Sequence, residues 1–182
     1  MSNVYQNMRD SMARVEIARP IISELLKGGE IHPVEGDDNV ICKLLDTLCG
    51  TDWFQVYENI KLVQGIASRT QVIRNGLKPY NSFTVRKEIE SGNITEYQKR
   101  RLAIDHGGVY PYLTMQLYVD SEDRPLSIGI AKTEDVMDFI DKGYARSGRT
   151  GYDQERQATF YICDWSRMQD KGYTVRTWHK DE

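Results

Sequence analysis

Along the first 27 positions, apolar residues recur at close to every 3.6 residues: Val4, Met8, Met12, Val15, Ile17, Ile21, Ile22, Leu25 and Leu26. That spacing predicts a helix over residues 3–27, stopped by Gly28-Gly29. Pro20 breaks or kinks the run, which leaves open one bent helix or two, with Pro20 in the first turn of the second. Residues 31–38, with Pro33 and Gly36, read as a loop. Asp37 or Asp38 then caps a short helix over residues 39–48, which turns Val40, Ile41, Leu44, Leu45 and Leu48 to a core and ends at Gly50.

The period changes after Gly50. Trp53, Phe54, Val56, Tyr57, Ile60, Val63 and Ile66 are aromatic or β-branched, and Glu58-Asn59 supplies a polar break, so residues 52–71 read as a hairpin; a helix capped at Thr51-Asp52 is the competing pattern. Turns follow around Asn75-Gly76 and at residues 78–81. Phe83 and Val85 then alternate with Thr84 and Arg86 in a half-buried strand. Thr95 caps a helix over residues 96–104 that ends at Gly107-Gly108. Residues 112–119 alternate as a long strand, residues 120–125 turn, and residues 126–131 return. Thr133 caps a helix with Glu134 and Asp135 in its first turn and Val136, Met137, Phe139 and Ile140 on its apolar face. Residues 146–157 are polar and glycine-containing, a loop, and strands at 158–163 and 173–178 flank a helical turn near Arg167. The pattern predicts an α+β fold: N-terminal helices, then a mixed, largely antiparallel sheet of five or six strands with one or two helices packed on it. With no repeat or linker, residues 1–182 read as a single domain, helical over 1–49 and sheet-containing over 50–182.

Composition narrows the class. A 182-residue chain that is 40% hydrophobic and 28% charged has enough apolar surface for a core, and no run approaches the ~20 apolar residues that span a bilayer. The first residues lack a basic and an apolar region of the secretory kind, and three cysteines are too few for a disulfide framework, so reduced thiols in a cytoplasm are expected. Cys42 and Cys49, seven residues apart on a helix, stand about 10 Å apart, too far for a bridge. His32, His106 and His179 show no zinc spacing, and neither a P-loop nor a dinucleotide fingerprint is present. Asp105-His106 reads as a helix C-terminus, and the eleven tyrosines as core and rim packing.

Charge is uneven. Residues 1–60 carry 5 basic and 10 acidic side chains (net −5), residues 61–101 carry 9 and 3 (net +6), and residues 102–182 carry 10 and 14 (net −4). A cationic middle in an acidic chain suits a local phosphate contact. Cutting a phosphodiester calls for a hard cation held by one or two carboxylates and a nearby Lys or Arg to stabilise the transferring charge. Asp52 at the start of one run and Ile66-Ala67-Ser68-Arg69-Thr70-Gln71 on the next resemble the core hairpin of the PD-(D/E)XK nuclease-like superfamily. There an Asp opens one strand, and an acid-x-Lys triplet lies on the next, sometimes with a Gln two positions on.

The resemblance implies that Asp52 holds Mg²⁺, that Arg69 stands at the lysine position, and that Gln71 is the trailing glutamine. Ala67 stands where the second acid belongs, and Arg69 cannot act as a base because a guanidinium does not deprotonate. Glu24, Glu16 or Asp46 on the preceding helices are candidates to supply the missing acid. Arg74, Arg86, Lys87, Lys99, Arg100 and Arg101 are the candidate nucleic-acid contacts, although three consecutive cations on a helix fan over roughly 200° and cannot all grip one backbone. The expected function is thus either Mg²⁺-dependent hydrolysis or nucleic-acid binding by a degenerate version, in a size suited to a phage or mobile-element accessory protein. The alternative is a non-enzymatic protein-binding regulator or inhibitor that uses its acidic ends and aromatic strands.

Overall fold

The computed structural model describes residues 2–34, 44–74, 77–89, 93–149 and 158–180. The N-terminal pattern forms one helix, α1 (Ser2–Leu26), which continues through Pro20. Val15, Ala18, Ile22 and Leu26 are buried and Pro20 is exposed. The apolar stripe therefore runs unbroken past the proline, and the backbone carbonyl that loses its partner lies toward water.

That stripe packs on one face of a six-stranded sheet, against Trp53, Ile66, Met115, Leu117, Ile128 and Ile130. The sheet comprises β1 (Glu30–Pro33), β2 (Trp53–Tyr57), β3 (Leu62–Val72), β5 (Leu113–Val119), β6 (Pro125–Lys132) and β9 (Val175–His179), in that spatial order. Every neighbouring pair is antiparallel except β3 and β5, which run parallel. Residues 52–71 are thus the hairpin and not a helix. Glu58–Ile60 make a single 3-10 turn at its tip, closed by Lys61 in the left-handed region at φ 53°.

The chain leaves β3 and returns to β5 through β4 (Ser82–Ile89) and α2 (Glu96–Asp105). A second sheet, β4–β8–β7, with β7 (Arg146–Arg149) and β8 (Ala158–Asp164), lies over the other face with α3 (Thr133–Asp141) and α4 (Trp165–Asp170). Phe83, Val85, Val136, Phe139, Cys163 and Trp165 build a second apolar core there. Gly129 admits Trp165: a Cβ at this position would fall 2.3 Å from the indole, so only glycine lets the ring lie on the strand.

Several expectations need correction. Residues 31–33 and 146–149 are expected in loops and instead belong to strands, β1 and β7, each paired on one side only. The described residues hold nine strands in two sheets, where five or six in one sheet are predicted. Thr133 is the first helical residue and caps nothing; Lys132 holds the cap position. β5 is buried on both faces along its length, not alternately exposed. Of the helix expected at 39–48, residues 39–43 lie outside the described residues, as does Cys42, and Leu45–Cys49 form one π-type turn closed by left-handed Gly50. None of the described helices is long and apolar enough to cross a membrane.

Candidate functional site

Register fixes what the hairpin presents. Trp53 pairs with Ile66 and points to the α1 core, so Asp52, beside it, and Ala67 and Arg69 on β3 project to the opposite face. Asp52 is held firmly: its N–H donates to the Ile66 carbonyl at 2.9 Å, its carbonyl accepts from Val34 N–H at 2.9 Å, and its Oδ2 accepts from Ser68 N–H.

A cavity of about 250 Å³ opens on this face, walled by β3 and β5 below, β4 above, α2 at the side and Cys49, Gly50 and Asp52, which lead into β2. Its lining includes two acids, Asp52 and Glu96, and four bases, Arg69, Arg86, Lys99 and Arg100. The small side chains of Ala67 and Thr114, paired across β3 and β5, leave the volume free.

Glu96 is the hub. Thr95 and Gln98 form a reciprocal capping box that fixes the start of α2 and places Glu96 in its first turn. The Glu96 carboxylate accepts from Arg69 at 2.7 Å, from Arg100 at 2.6 Å and from the backbone N–H of Arg86 at 3.1 Å. Burial pushes its pKa up, but the Arg100 and Arg69 guanidiniums and the Arg86 N–H outweigh that and hold it below the usual carboxylate range. Arg86 shifts down because it is half-buried and faces the Arg69 charge, with Glu96 opposing. Both guanidiniums lie over the same ring, Arg69 at 5.2 Å and Arg86 at 5.9 Å from the Phe160 centroid. A register shift between Arg86 and Glu88 interrupts β4 just beyond Arg86, which itself pairs with Phe160.

On the floor, Arg100 donates to Thr114 Oγ1 at 3.4 Å, and Thr114 meets the Thr133 hydroxyl at 3.0 Å. Gln116 is 1% exposed; its Oε1 accepts from the Thr84 hydroxyl at 3.2 Å, while its Nε2 has no hydrogen-bond partner. Arg86 Nε is buried and equally unpartnered.

Of the residues predicted from sequence, Asp52, Arg69, Arg86, Lys99 and Arg100 meet around this cavity. Gln71 shares the face, opposite Tyr118, but lies beyond the lining, and Arg74 is exposed past the end of β3. Lys87 turns away to Glu88 at 3.8 Å and to the Tyr161 ring, and Arg101 bonds Asp105 at 2.8 Å and Asp141 at 2.9 Å. The candidate replacement acids stand elsewhere. Glu16 pairs with Arg19 on α1, which with Glu24 covers the other face, and Asp46 sits on the π-type turn outside the lining, its pKa raised by burial against the pull of Lys99.

Sequence reasoning passed over Glu96, Thr114 and Gln116. The signal for Glu96 was present: Glu96 and Arg100 are four residues apart on a capped helix, a spacing that pairs them.

Comparison with known proteins gives no match: no family model fits the chain, and no curated protein and no solved structure is significantly similar to it.

The donor set does not suit the Mg²⁺ that the PD-(D/E)XK resemblance implies. Asp52 is the hairpin's lone carboxylate on this face, Ala67 offers no ligand, and Glu96 is occupied by three arginine groups. Among the described residues, no group of three or more His, Cys, Asp and Glu side chains could hold a metal. Four cationic side chains around the cavity oppose a divalent cation and favour an anion.

Proposed function

We propose that this protein binds nucleic acid through the cavity on the β2–β3 hairpin, as a PD-(D/E)XK-like domain that holds phosphate and does not cut it. The observation that carries this reading is the convergence of Arg69, Arg86, Lys99 and Arg100 on one cavity with only two acids. Guanidiniums offer fixed, paired donors to phosphate oxygens, and their charge makes binding salt-dependent. The order of helix, antiparallel strands, intervening helix and parallel strand around Asp52 and Arg69 supports the family resemblance.

Retention on immobilised DNA and RNA over a salt gradient tests the proposal. The parent protein is expected to bind with or without a chelator. Arg69→Ala and Arg86→Ala should each elute earlier, with the salt slope on B-DNA shallower by about 0.9 for every phosphate no longer neutralised. Failure of the parent to bind either polymer refutes it. A protein-binding regulator is the second reading; it draws on Ile60, Leu62 and Val63, apolar and exposed together at the hairpin tip. Under that reading, neither polymer retains the parent.

A further inference from the structure

Of the four buried side-chain atoms without a partner among the described residues, two belong to residues that line the cavity, Arg86 Nε and Gln116 Nε2, and these narrow what enters it. Buried polar atoms almost always have a partner, and both of these can only donate, so the missing partner is an acceptor. Water would accept from them, but with four bases and two acids in the lining an anion gains more.

Depth then distinguishes one end of a chain from its middle. Gln116 sits in the middle of β5, between β3 and β6, with β4 above it, and is 1% exposed. An internal phosphodiester carries one negative charge and two ester-linked sugars, and both sugars would have to follow the phosphorus inward. A phosphate monoester has three free oxygens, a charge near −2 at neutral pH and one ester bond that can trail out through the mouth.

We propose that the cavity is a receptor for a terminal phosphate, with Arg86 Nε and Gln116 Nε2 donating to its innermost oxygens and Arg69 and Arg100 balancing its charge. This rests on the nucleic-acid reading above and adds to it a preference for phosphorylated ends. No bond is made or broken.

Fluorescence anisotropy with three single-stranded oligonucleotides of one sequence, each labelled on an internal base, tests this: 5′-phosphate, 3′-phosphate, or hydroxyl at both ends. The parent is expected to bind one of the phosphorylated forms at least about tenfold more tightly than the hydroxyl form, the loss expected when a pair of buried donors goes unanswered. Which form it is identifies the end. Gln116→Met should reduce that preference, read as the ratio of the two affinities, severalfold. Equal affinity of the parent for all three overturns the terminal-phosphate proposal but leaves nucleic-acid binding intact; no binding of any form refutes both. A Gln116→Met variant that folds and keeps the full preference also overturns it. Should that variant not fold, the parent decides through melting: deoxyadenosine 5′- or 3′-monophosphate raises the melting temperature and deoxyadenosine does not, whereas equal effects overturn the proposal.

Discussion

Replacing Glu96 by Gln isolates the electrostatics of the cavity, because the side chain keeps its size and an acceptor for Arg86 N–H while losing its charge. Arg100 is the residue most affected: its side chain is 5% exposed, and its Glu96 partner, 2.6 Å away, is 23% exposed. Breaking a buried ion pair by neutralising one partner costs about 3–5 kcal/mol, since the other charge stays in low dielectric uncompensated. Glu96 retains some water, which screens the pair and places the expected loss at the low end, about 3 kcal/mol. For a chain of this size, about 2–4 °C of melting temperature per kcal/mol gives a fall of about 6–12 °C at neutral pH.

Thermal denaturation of Glu96→Gln and of Glu96→Gln with Arg100→Met provides the test. Removing the stranded guanidinium should restore at least half of the loss, so the double variant melts above the single one. pH supplies an independent check. The Glu96 pKa is lowered on folding from an ordinary 4.5, so its stabilisation is complete above that value and is lost as pH falls through the depressed folded value. The gap between parent and variant must therefore close on acidification below 4.5. A variant that melts with the parent at neutral pH, or a gap that stays constant in acid, refutes the assignment of Glu96 as the counter-charge. The same change leaves the cavity one negative charge poorer, so anion affinity should rise while stability falls, an opposition that general misfolding would not produce.

Two further outcomes follow from packing. Gly129→Ala puts a Cβ 2.3 Å from the Trp165 indole, which Phe83 and Tyr118 wedge from other sides; urea denaturation should show a loss of about 1–3 kcal/mol or more, and an unchanged midpoint would refute the close packing. Cys163 is fully buried and its thiol is pushed up to about 12 by burial and the neighbouring Asp164 charge, so iodoacetamide should modify half-exposed Cys49 in the native protein and reach Cys163 only on unfolding; equal native rates, read by peptide mass mapping, would refute it.

Where a segment's own residues specify its structure, the fold was legible. The 3.6-residue stripe of α1, the Thr95 cap of α2, the apolar face of α3 and the β5–β6 hairpin all carry local patterns, and the β-branched density of residues 53–66 outweighed the cap signal at Thr51-Asp52. β1 and β7 carry no such pattern. Glu30-Ile31-His32-Pro33 buries one side chain, and Arg146-Ser147-Gly148-Arg149 is strand only because β8 lies beside it, with Ile162 filling the space over Gly148. The site divides the same way. Asp52 and Arg69 could be placed together because one hairpin carries both. Gln116 could not, because period-2 alternation predicts one wet face for β5, and the sheet that covers that face comes from residues 82–89 and 158–164, whose position no local pattern encodes.

The cavity is also unlike what stability alone would select. Arg69 and Arg86 stand close enough that one lowers the pKa of the other, and the carboxylate beside them, Glu96, pairs with the Arg69 and Arg100 guanidiniums but takes only a backbone N–H from Arg86. Two guanidiniums paired with a single acid, and a third beside them, leave like charges facing each other in a partly dry space, and apolar side chains of the same volume would commonly fold as well or better. Phe160 offers its ring face to two of them and softens the repulsion, but it does not supply the missing negative charge. Departures from good folding practice concentrate where a ligand completes the arrangement. Here the deficit is specific in sign and in atom type: positive charge in excess, and two buried donors without acceptors. An oxyanion corrects both at once, whereas a metal ion would add to the first and leave the second untouched.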